Sequence, residues 1–571
     1  MIAHFPHPLT TLRAFRLLLA LLFGLALGPR ALALDAAAFD GELREAMAVW
    51  GVPGMAVSVV EQGSLVFARG YGTTAVSDGR PVTPDTLFAN ASTTKAMIAA
   101  AALILVDEGR LSLDDRVQRH LPDFRLGDPR MASELTLRDL LTHRSGLPST
   151  DFLVFNQGMS LDLQLPYLER VLPAAPPRSA FIYQNTGYQL VARVLERVSG
   201  EPWPVLLQTR LWGPLGMDRT FAKRGAIPDA LPRAWPHDEV RGVLRKIDHS
   251  FLPEQPNAAG SVWSTVNDMA RWAQCLLSGG LNQVGERVLS EGAVAALFEP
   301  QVMLSEDEYY PTARLTEPAW RSYALGWYQQ DFQGRKIDYH TGSLSGFVAL
   351  LGLDRSQGKA IMVMANREGA ELRHGALWRV MDGRAPEDRP PWFAAVRDLY
   401  QARSMKRVAA WEALTSRRPY APPTVPLRAY EGRYFSDTAG PLNLVLADDG
   451  SRLTLETRTR RYGLEPWHGD TFLVTFKDWN QAPLPASTLG PTGRCGGSAP
   501  LTPLSCASQG RNVSAHHGNF EQGRKPGAEA QGLEPGADLA KAEEEYGQGN
   551  PRKQPSPCPL KGWARSAGLG L

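Results

Sequence analysis

The order of the sequence patterns predicts an α/β fold in which one antiparallel sheet is covered by helices. Two apolar, β-rich runs at residues 55–60 and 65–68 flank a Gln-Gly turn pair and predict a hairpin near the start. Long helical stretches follow, and apolar runs at residues 347–353 and 360–365 predict a second, buried hairpin. Because strands stand at both ends of this region, we expect them to pair in one sheet with the helices packed on it.

One helix of this region is predicted to be buried on all sides. Residues 96–106 are apolar without interruption, which is too short for a membrane span and typical of a helix at the centre of a domain. Ser92-Thr93-Thr94-Lys95 precedes this run, so Ser92 would stand at the helix N-terminus with Lys95 one turn later. A lysine amine whose pKa is lowered by burial can take a serine proton, or help another base to do so. Ser92 is therefore a candidate nucleophile.

The Ser-x-x-Lys pattern is not specific by itself. Residues 356–359 repeat it between the strands of the late hairpin, where a turn is expected. Two more motifs follow Ser92 in order, however: Tyr183-x-Asn185, and then His340-Thr341-Gly342-Ser343 directly before the late hairpin.

Together these motifs resemble those of the serine β-lactamase and penicillin-binding-protein superfamily. The closer resemblance is to the peptidase S12-like branch, which holds class C β-lactamases, D-aminopeptidases, D-Ala-D-Ala carboxypeptidases and esterases. Segments 140–148 and 257–272 are also similar to that branch, and the likeness covers about residues 39–370. It implies an α/β sandwich beside an all-helical subdomain, with the site between them.

The resemblance also implies a role for each motif residue. Ser92 would form an acyl-enzyme, and its backbone N–H would build an oxyanion hole together with that of Ser343 on the Thr341-Gly342-Ser343 substrate strand. Tyr183, with its pKa lowered by Lys95, would be the general base. Asn185 would bind the substrate amide or orient Lys95. His143 could serve as a base, but the resemblance makes it structural.

His340 departs from the pattern of β-lactamases and carboxypeptidases, which typically have lysine there. A histidine near neutral pH is largely uncharged, so it offers no permanent charge to a substrate carboxylate, although it could hydrogen-bond Tyr183 or a substrate carbonyl. D-Aminopeptidase-like and esterase-like relatives tolerate histidine at this position. We therefore expect weaker carboxylate binding and place His340 among the catalytic candidates.

The ends of the chain carry separate signals. Residues 1–33 combine arginines, a short apolar stretch and Ala-Leu-Ala, which predicts a cleaved signal peptide and export to the periplasm or the medium; an uncleaved anchor is the alternative. The hydrolase domain is expected at residues 36–380, followed by a Pro-rich linker with a helix at 381–428. Alternating strands at 429–487 resemble the small β-barrel domain often appended to this family, and they stop short of the strands that such a barrel is expected to need, as in a truncated domain. Residues 488–571 have a composition typical of disorder or of an aberrant 3′ end.

Composition excludes several functions. The net charge of +2 and the lack of basic runs give no basis for nucleic-acid binding, and no stable membrane span is expected after signal cleavage. Four cysteines form neither a disulfide framework nor a zinc spacing, so we expect no metal and no other cofactor. The sequence predicts an exported serine hydrolase that cleaves an amide or ester of a small molecule or peptide, which could derive from the cell wall. A slow penicillin-binding or sensor protein, or a β-lactamase, is the alternative.

Overall fold

The computed structural model describes residues 33–77, 79–240, 242–248, 255–416, 421–474 and 484–488. The helices are α1 Ala36–Trp50, α2 Thr94–Asp107, α3 Val117–His120, α4 Pro129–Glu134, α5 Leu137–Leu141, α6 Asp151–Phe155, α7 Leu161–Leu168, α8 Asn185–Ser199, α9 Trp203–Leu207, α10 Val266–Leu277, α11 Glu291–Leu297, α12 Ala313–Thr316, α13 Leu372–Met381 and α14 Trp392–Ser416. The strands are β1 Gly54–Glu61, β2 Ser64–Gly72, β3 Phe88–Ala89, β4 His237–Val240, β5 Val243–Lys246, β6 Trp263–Ser264, β7 Val302–Met303, β8 Arg321–Tyr323, β9 Tyr328–Phe332, β10 Arg335–Leu344, β11 Phe347–Asp354, β12 Lys359–Ala365, β13 Gly432–Ser436, β14 Gly440–Leu446, β15 Leu453–Glu456, β16 Arg461–His468, β17 Thr471–Val474 and β18 Leu484–Thr488.

The larger sheet joins the two ends of the first domain, as predicted. Its strands lie in the order β2-β1-β12-β11-β10-β9-β8-β7, and every neighbouring pair is antiparallel. The early hairpin meets the late one where β1 pairs with β12, with Val57 opposite Val363. The predicted fold class, an antiparallel sheet covered by helices beside a helical region, is confirmed.

Both faces of this sheet are buried. Side chains alternate along β1, so that Ala56 and Val60 pack towards α2 and α10, while Val57 and Val59 pack towards α1 and α13. The helix α2 lies in the first of these cores and is buried at every residue from 94 to 105. The apolar run that predicted it thus reflects a helix with protein on all sides, which fixes Lys95 at its start in a water-poor environment.

The second domain, called here the C-terminal β domain, comprises the described residues from 421 onward. Its strands β13 to β18 form a six-stranded antiparallel meander around an apolar core that includes Leu444 and Phe472. The hairpin turn between β14 and β15 contains Asp449-Gly450, with Gly450 at φ +71° and the Asp449 carboxylate accepting from Ser451 N. The strand β16 gave no clear signal in the sequence.

Helix α14 connects the two domains and is packed against both. Its first residue, Trp392, donates from Nε1 to the buried Asp382 carboxylate at 2.8 Å, and Trp411 near its end stacks on Trp467 of the C-terminal β domain. The helix expected within residues 381–428 is therefore part of the packed structure rather than a free connection.

Some of the sequence predictions lie outside the described residues. The signal peptide, apart from its last residue, and the terminal segment from residue 489 onward belong to this group. Across the described ranges, no helix is both long enough and apolar enough to span a bilayer.

Candidate active site

The candidate nucleophile stands on a strained turn. Residues Ala91–Thr93 form a 3₁₀ turn that leads directly into α2, and Ala91 has φ +46°, in the left-handed region that non-glycine residues rarely occupy. Ala91 and Thr93 are buried, whereas Ser92 between them remains partly exposed. The turn therefore presents one hydroxyl at the surface of an otherwise closed core.

Lys95 has no exposed surface, and its amine contacts only uncharged groups. Nζ lies 3.1 Å from Ser92 Oγ, 2.7 Å from Asn185 Oδ1 and 2.8 Å from the carbonyl oxygen of Ala259. Burial lowers the pKa of Lys95 to about 7, although the negative charge of Asp151 acts in the opposite direction. A substantial fraction of the amine is therefore neutral near neutral pH.

The arrangement of these three partners directs the lone pair of the neutral amine. Asn185 Oδ1 and Ala259 O can only accept hydrogen bonds, so a neutral Lys95 gives them its two N–H groups. The lone pair that remains faces the Ser92 hydroxyl. Lys95 is thus positioned to accept the proton that Ser92 must lose in order to attack a carbonyl.

Helix α8 holds Asn185, and a turn holds the Ala259 carbonyl, in place beside the Lys95 amine. Asn185 is the first residue of α8, which packs against α2, and the side chain of the preceding Gln184 caps the helix by accepting from Thr186 N. Ala259 lies in a turn closed by Asn257 Oδ1, which accepts from Ala259 N at 2.9 Å. In that turn Gly260 lies against Ala91: a Cβ on Gly260 would stand 3.2 Å from the Ala91 carbonyl carbon.

Tyr183 lies beside Ser92 and Lys95, but its pKa differs from the prediction. Burial raises the pKa of Tyr183 well above its usual value, while a hydrogen bond with the Ser92 side chain lowers it by less. The prediction that Lys95 lowers this pKa is wrong, because burial of the phenol dominates and the Lys95 amine lies over the ring, 4.9 Å from its centroid. Tyr183 therefore stays protonated and can relay a proton between Ser92 and a second group.

His143 packs against the ring of Tyr183. It is fully buried, its ring centroid lies 4.2 Å from that of Tyr183, and its Nδ1 accepts from Gln184 N at 3.0 Å. Burial lowers the pKa of His143 well below its usual value. The side chain is thus a neutral packing group with no access to a substrate, in line with its omission from the predicted site.

Strand β10 carries the motif at residues 340–343 and packs it directly against the 3₁₀ turn that holds Ser92. A Cβ on Gly342 would lie 2.5 Å from Asn90 O and 2.8 Å from Ser92 N, so only glycine allows this approach. The next residue, Ser343, is exposed, and its backbone follows the same edge. Thr341 Oγ1 lies 2.7 Å from the Tyr310 hydroxyl. The predicted oxyanion groups of Ser92 and Ser343 therefore stand on two adjoining segments.

His340 lies behind this edge rather than in it. Its exposed fraction is 2%, Nδ1 lies 2.5 Å from Thr341 O and Nε2 lies 3.2 Å from the Tyr323 hydroxyl. Because a carbonyl only accepts, Nδ1 carries the proton and Nε2 accepts from Tyr323. Burial lowers the pKa of His340 to about 3, so the ring is neutral, as predicted. The sequence allowed a hydrogen bond from this ring to Tyr183 or to a substrate carbonyl; in the structure its two nitrogens are engaged by Tyr323 and Thr341 O instead.

Sequence reasoning missed Arg373, which holds the strand behind the oxyanion groups. This buried guanidinium donates to Gly342 O at 2.5 Å, to Ala349 O at 3.2 Å and to Ser343 Oγ at 3.2 Å, and it pairs with Glu371. All of its donor groups are thereby used, so it positions β10 and offers no free contact to a substrate. No motif signals it, because Arg373 lies on α13, far from the site in sequence.

A protein-family model described as β-lactamase matches residues 39–384. The chain belongs to the β-lactamase family. A second model, a domain of unknown function called DUF3471, matches residues 416–491, which include the C-terminal β domain.

The relatives of this family member include hydrolases and penicillin-binding proteins. Unguisins hydrolase ungD of Aspergillus violaceofuscus is 29% identical over 74% of this chain and 79% of its own length. Penicillin-binding protein 4 of Amycolatopsis lactamdurans is 28% identical over 60% of this chain and 87% of its own. Among solved structures, the octameric penicillin-binding protein homologue from Pyrococcus abyssi aligns with a TM-score of 0.55 and 21% identity, over 79% of this chain and 95% of that one. The D-amino acid amidase of Ochrobactrum anthropi aligns with a TM-score of 0.50 and 22% identity, over 64% of this chain and 99% of that one.

Proposed function

We propose that this chain is a serine hydrolase that cleaves an amide or ester bond through an acyl-enzyme on Ser92. The observation that carries the proposal is the fully buried Lys95 amine, 3.1 Å from Ser92 Oγ and with no carboxylate in hydrogen-bonding contact. Such an amine is a base of suitable strength near neutral pH, and a serine beside it is an activated nucleophile. Ser92, Lys95, Tyr183 and Asn185 act together as one constellation.

In the acylation step, Ser92 Oγ forms a bond to the substrate carbonyl carbon while its proton passes to Lys95 Nζ. The backbone N–H groups of Ser92 and Ser343 stabilise the oxyanion that develops. The bond to the leaving amine or alkoxide then breaks, and that group takes a proton from Lys95 through the Tyr183 hydroxyl. In the second step, water gives one proton to Lys95 along the same path as its oxygen bonds to the ester carbon. The bond between that carbon and Ser92 Oγ then breaks, and Lys95 returns the proton to Oγ, so that the acid product leaves and both residues are restored.

The identity of His340 supports an uncharged substrate group at the strand β10 edge. The ring is neutral and both of its nitrogens are engaged, and the guanidinium of Arg373 is fully occupied, so neither offers a charge to a carboxylate. Amides and neutral esters are therefore the preferred candidates over penicillins. The name of ungD supports a hydrolase, and the name of one structural neighbour, a D-amino acid amidase, supports an amide substrate. Export through the segment at residues 1–33 is part of this proposal.

Covalent labelling tests the function directly. A fluorophosphonate should modify the wild-type protein at Ser92, as identified by peptide mass spectrometry, and Ser92→Ala should remove both the label and hydrolysis of an ester and D-aminoacyl-amide panel. The matched control is Ser356→Ala, since Ser356 belongs to the second Ser-x-x-Lys segment and should leave both unchanged. Hydrolysis that persists in Ser92→Ala would overturn the assignment. Labelling by a fluorescent penicillin without turnover of any substrate would favour a penicillin-binding or sensor role instead.

A further inference from the structure

A buried carboxylate, which has no hydrogen-bond partner among the described residues, acts electrostatically on the Lys95 amine. Asp151 is 5% exposed, and within the described part of the chain neither of its carboxylate oxygens has a hydrogen-bond partner. Its neighbour Thr150 contacts the residues on either side of Asn185: Thr150 Oγ1 lies 3.3 Å from Gln184 Oε1 and 2.8 Å from Thr186 Oγ1. Because Asn185 itself binds Lys95, the contacts of Thr150 fix the start of α6 against the residues that flank the partner of Lys95.

Asp151 is the group that supplies charge to Lys95. The other titratable side chains facing the amine are the rings of Tyr183 and Tyr188, 4.9 and 5.3 Å from Nζ, and the buried His143 and His340. Burial keeps both tyrosines protonated and both histidines neutral near pH 7. When Lys95 takes the Ser92 proton, the carboxylate of Asp151 is therefore what compensates the new positive charge.

Asp151 is also the first residue of α6, and the other end of this short helix is held by the C-terminal β domain. Asn156 Nδ2 lies 2.6 Å from the Tyr462 hydroxyl, and Asn156 O accepts from the hydroxyls of Thr457 and Thr459 at 2.6 and 2.7 Å. Asn156 is 5% exposed, so these bonds are shielded from water.

Gln157 forms the second half of this attachment. It is fully buried, its Nε2 donates to Ala439 O at 2.8 Å and to Pro441 O at 2.6 Å, and its Oε1 accepts from Arg458 N at 3.0 Å. A single side chain thus uses its amide group to bind the start of β14 and the turn between β15 and β16. Hydrogen bonds of this kind leave unsatisfied buried groups on both sides when one partner is removed.

Apolar contacts along α6 complete the connection. Phe152 packs on the apolar core of the C-terminal β domain, and a Cβ on Gly440 would lie 3.1 Å from Leu153 Cδ2. The helix rises by only 1.5 Å per residue, so about 8 Å of backbone separates Asp151 from the bonds at Asn156 and Gln157. A displacement of the C-terminal β domain is thereby transmitted to Asp151.

We propose that the C-terminal β domain is a positioning element of the active site, which holds α6 so that the Asp151 carboxylate stands as the counter-charge of Lys95. This inference rests on the proposed function, since it requires Lys95 to be the acceptor of the Ser92 proton. It assigns a role to a domain whose function is otherwise undefined. Asn156 and Gln157 are positioning residues, and Asp151 acts through Lys95.

The first test is the pH dependence of Ser92 labelling by a neutral fluorophosphonate in Asp151→Asn. Labelling requires neutral Lys95 and so rises as pH increases through the pKa of Lys95. Loss of the negative charge destabilises the ammonium, so the midpoint of this rise should move to lower pH by about one unit. The plateau rate should fall by about tenfold, because a weaker base accepts the proton less readily. Asp151→Glu, which keeps the charge, should hold the midpoint near that of the wild type.

The second test addresses the domain contact. Gln157→Ala removes the three hydrogen bonds of its amide and should move the labelling midpoint in the same direction as Asp151→Asn. Tyr462→Phe removes only a hydroxyl and should give a smaller shift in the same direction. The control is Ser451→Ala, in the exposed Asp449-Gly450 turn at which Ser451 binds only Asp449. Melting temperatures confirm that each variant is folded.

The outcomes separate this inference from the proposed function. If the wild-type protein is not labelled at Ser92, the proposed function fails. If it is labelled, and folded Asp151→Asn and Tyr462→Phe keep the wild-type midpoint, the inference is overturned even if their plateau rates fall, because a merely structural role lowers rates without moving the midpoint.

Discussion

The two Ser-x-x-Lys segments of this chain share a pattern but differ in what their side chains contact. Both lysines are buried, Lys95 with no exposed surface and Lys359 with 6%. Lys359, however, forms an ion pair with Glu61 at 3.2 Å, and Ser356 donates to the Asp354 carboxylate at 2.6 Å. Lys95 meets only neutral oxygens in hydrogen-bonding contact. A lysine is therefore a candidate base where it is buried and, in addition, no carboxylate contacts its amine.

The backbone adds a second difference. Residues 92–95 run from a 3₁₀ turn into α2, which places the two side chains on one face, whereas residues 356–359 cross the turn between β11 and β12. In the first segment the serine therefore contacts the amine, and in the second it contacts the carboxylate that precedes it. The same four-residue pattern thus gives a candidate catalytic pair in one place and a structural turn in the other.

The largest expected effect is the loss of acylation rate when Lys95 is replaced, and replacement of Lys359 is the matched comparison. Lys95→Met should slow acylation of Ser92 by about a thousandfold or more, because the serine loses its proton acceptor. Lys359→Met should leave the acylation rate within about twofold and should instead lower the melting temperature, since the partly buried Glu61 would lose its ion pair. Equal losses of rate in the two variants would show that the comparison is wrong.

A smaller effect is expected at Tyr183, whose hydroxyl relays the proton. Tyr183→Phe should slow turnover by about a hundredfold. Because the tyrosine works through Lys95, the double variant Lys95→Met/Tyr183→Phe should be no slower than Lys95→Met alone, as for residues that act as a unit. Losses that add in free energy would argue for two independent proton paths. Single-turnover kinetics with a chromogenic ester measures all three variants.

These residues also show what the sequence could and could not predict. The buried helix α2 and the placement of Ser92 and Lys95 followed from local periodicity, because those features depend on neighbours in sequence. The antiparallel sheet followed from the order of strands and helices along the chain. The raised pKa of Tyr183, the bond between His340 and Tyr323 and the carbonyl of Ala259 depend on neighbours far along the chain. The sequence marked Tyr183 and His340 as important, but it could not say whether burial or a charge would dominate at either residue.

The smallest effect is expected at His340. His340→Lys introduces a positive charge directly behind the β10 edge, so acylation by a penicillin, which has a carboxylate, should improve relative to a neutral ester. One charge-assisted hydrogen bond is worth about 1.5–3 kcal/mol, or about one to two decades in the ratio of rates. The ratio of second-order acylation constants in variant and wild type is the measurement, and it cancels any loss common to both substrates. An unchanged ratio, or efficient penicillin turnover by the wild type, would show that His340 does not set this preference.

The central claim is that the pKa of Lys95 lies near 7, so that a substantial fraction of the amine is neutral near neutral pH, and this ionisation can be measured without turnover. In protein with ¹³C-labelled lysine side chains, the Lys95 Cε signal is assigned by its absence from Lys95→Met and is followed through a pH titration. Burial should give a midpoint near 7, as the structure indicates. A Lys95 amine that stays protonated up to pH 9 or above would contradict the account, because it could not then accept the proton of Ser92.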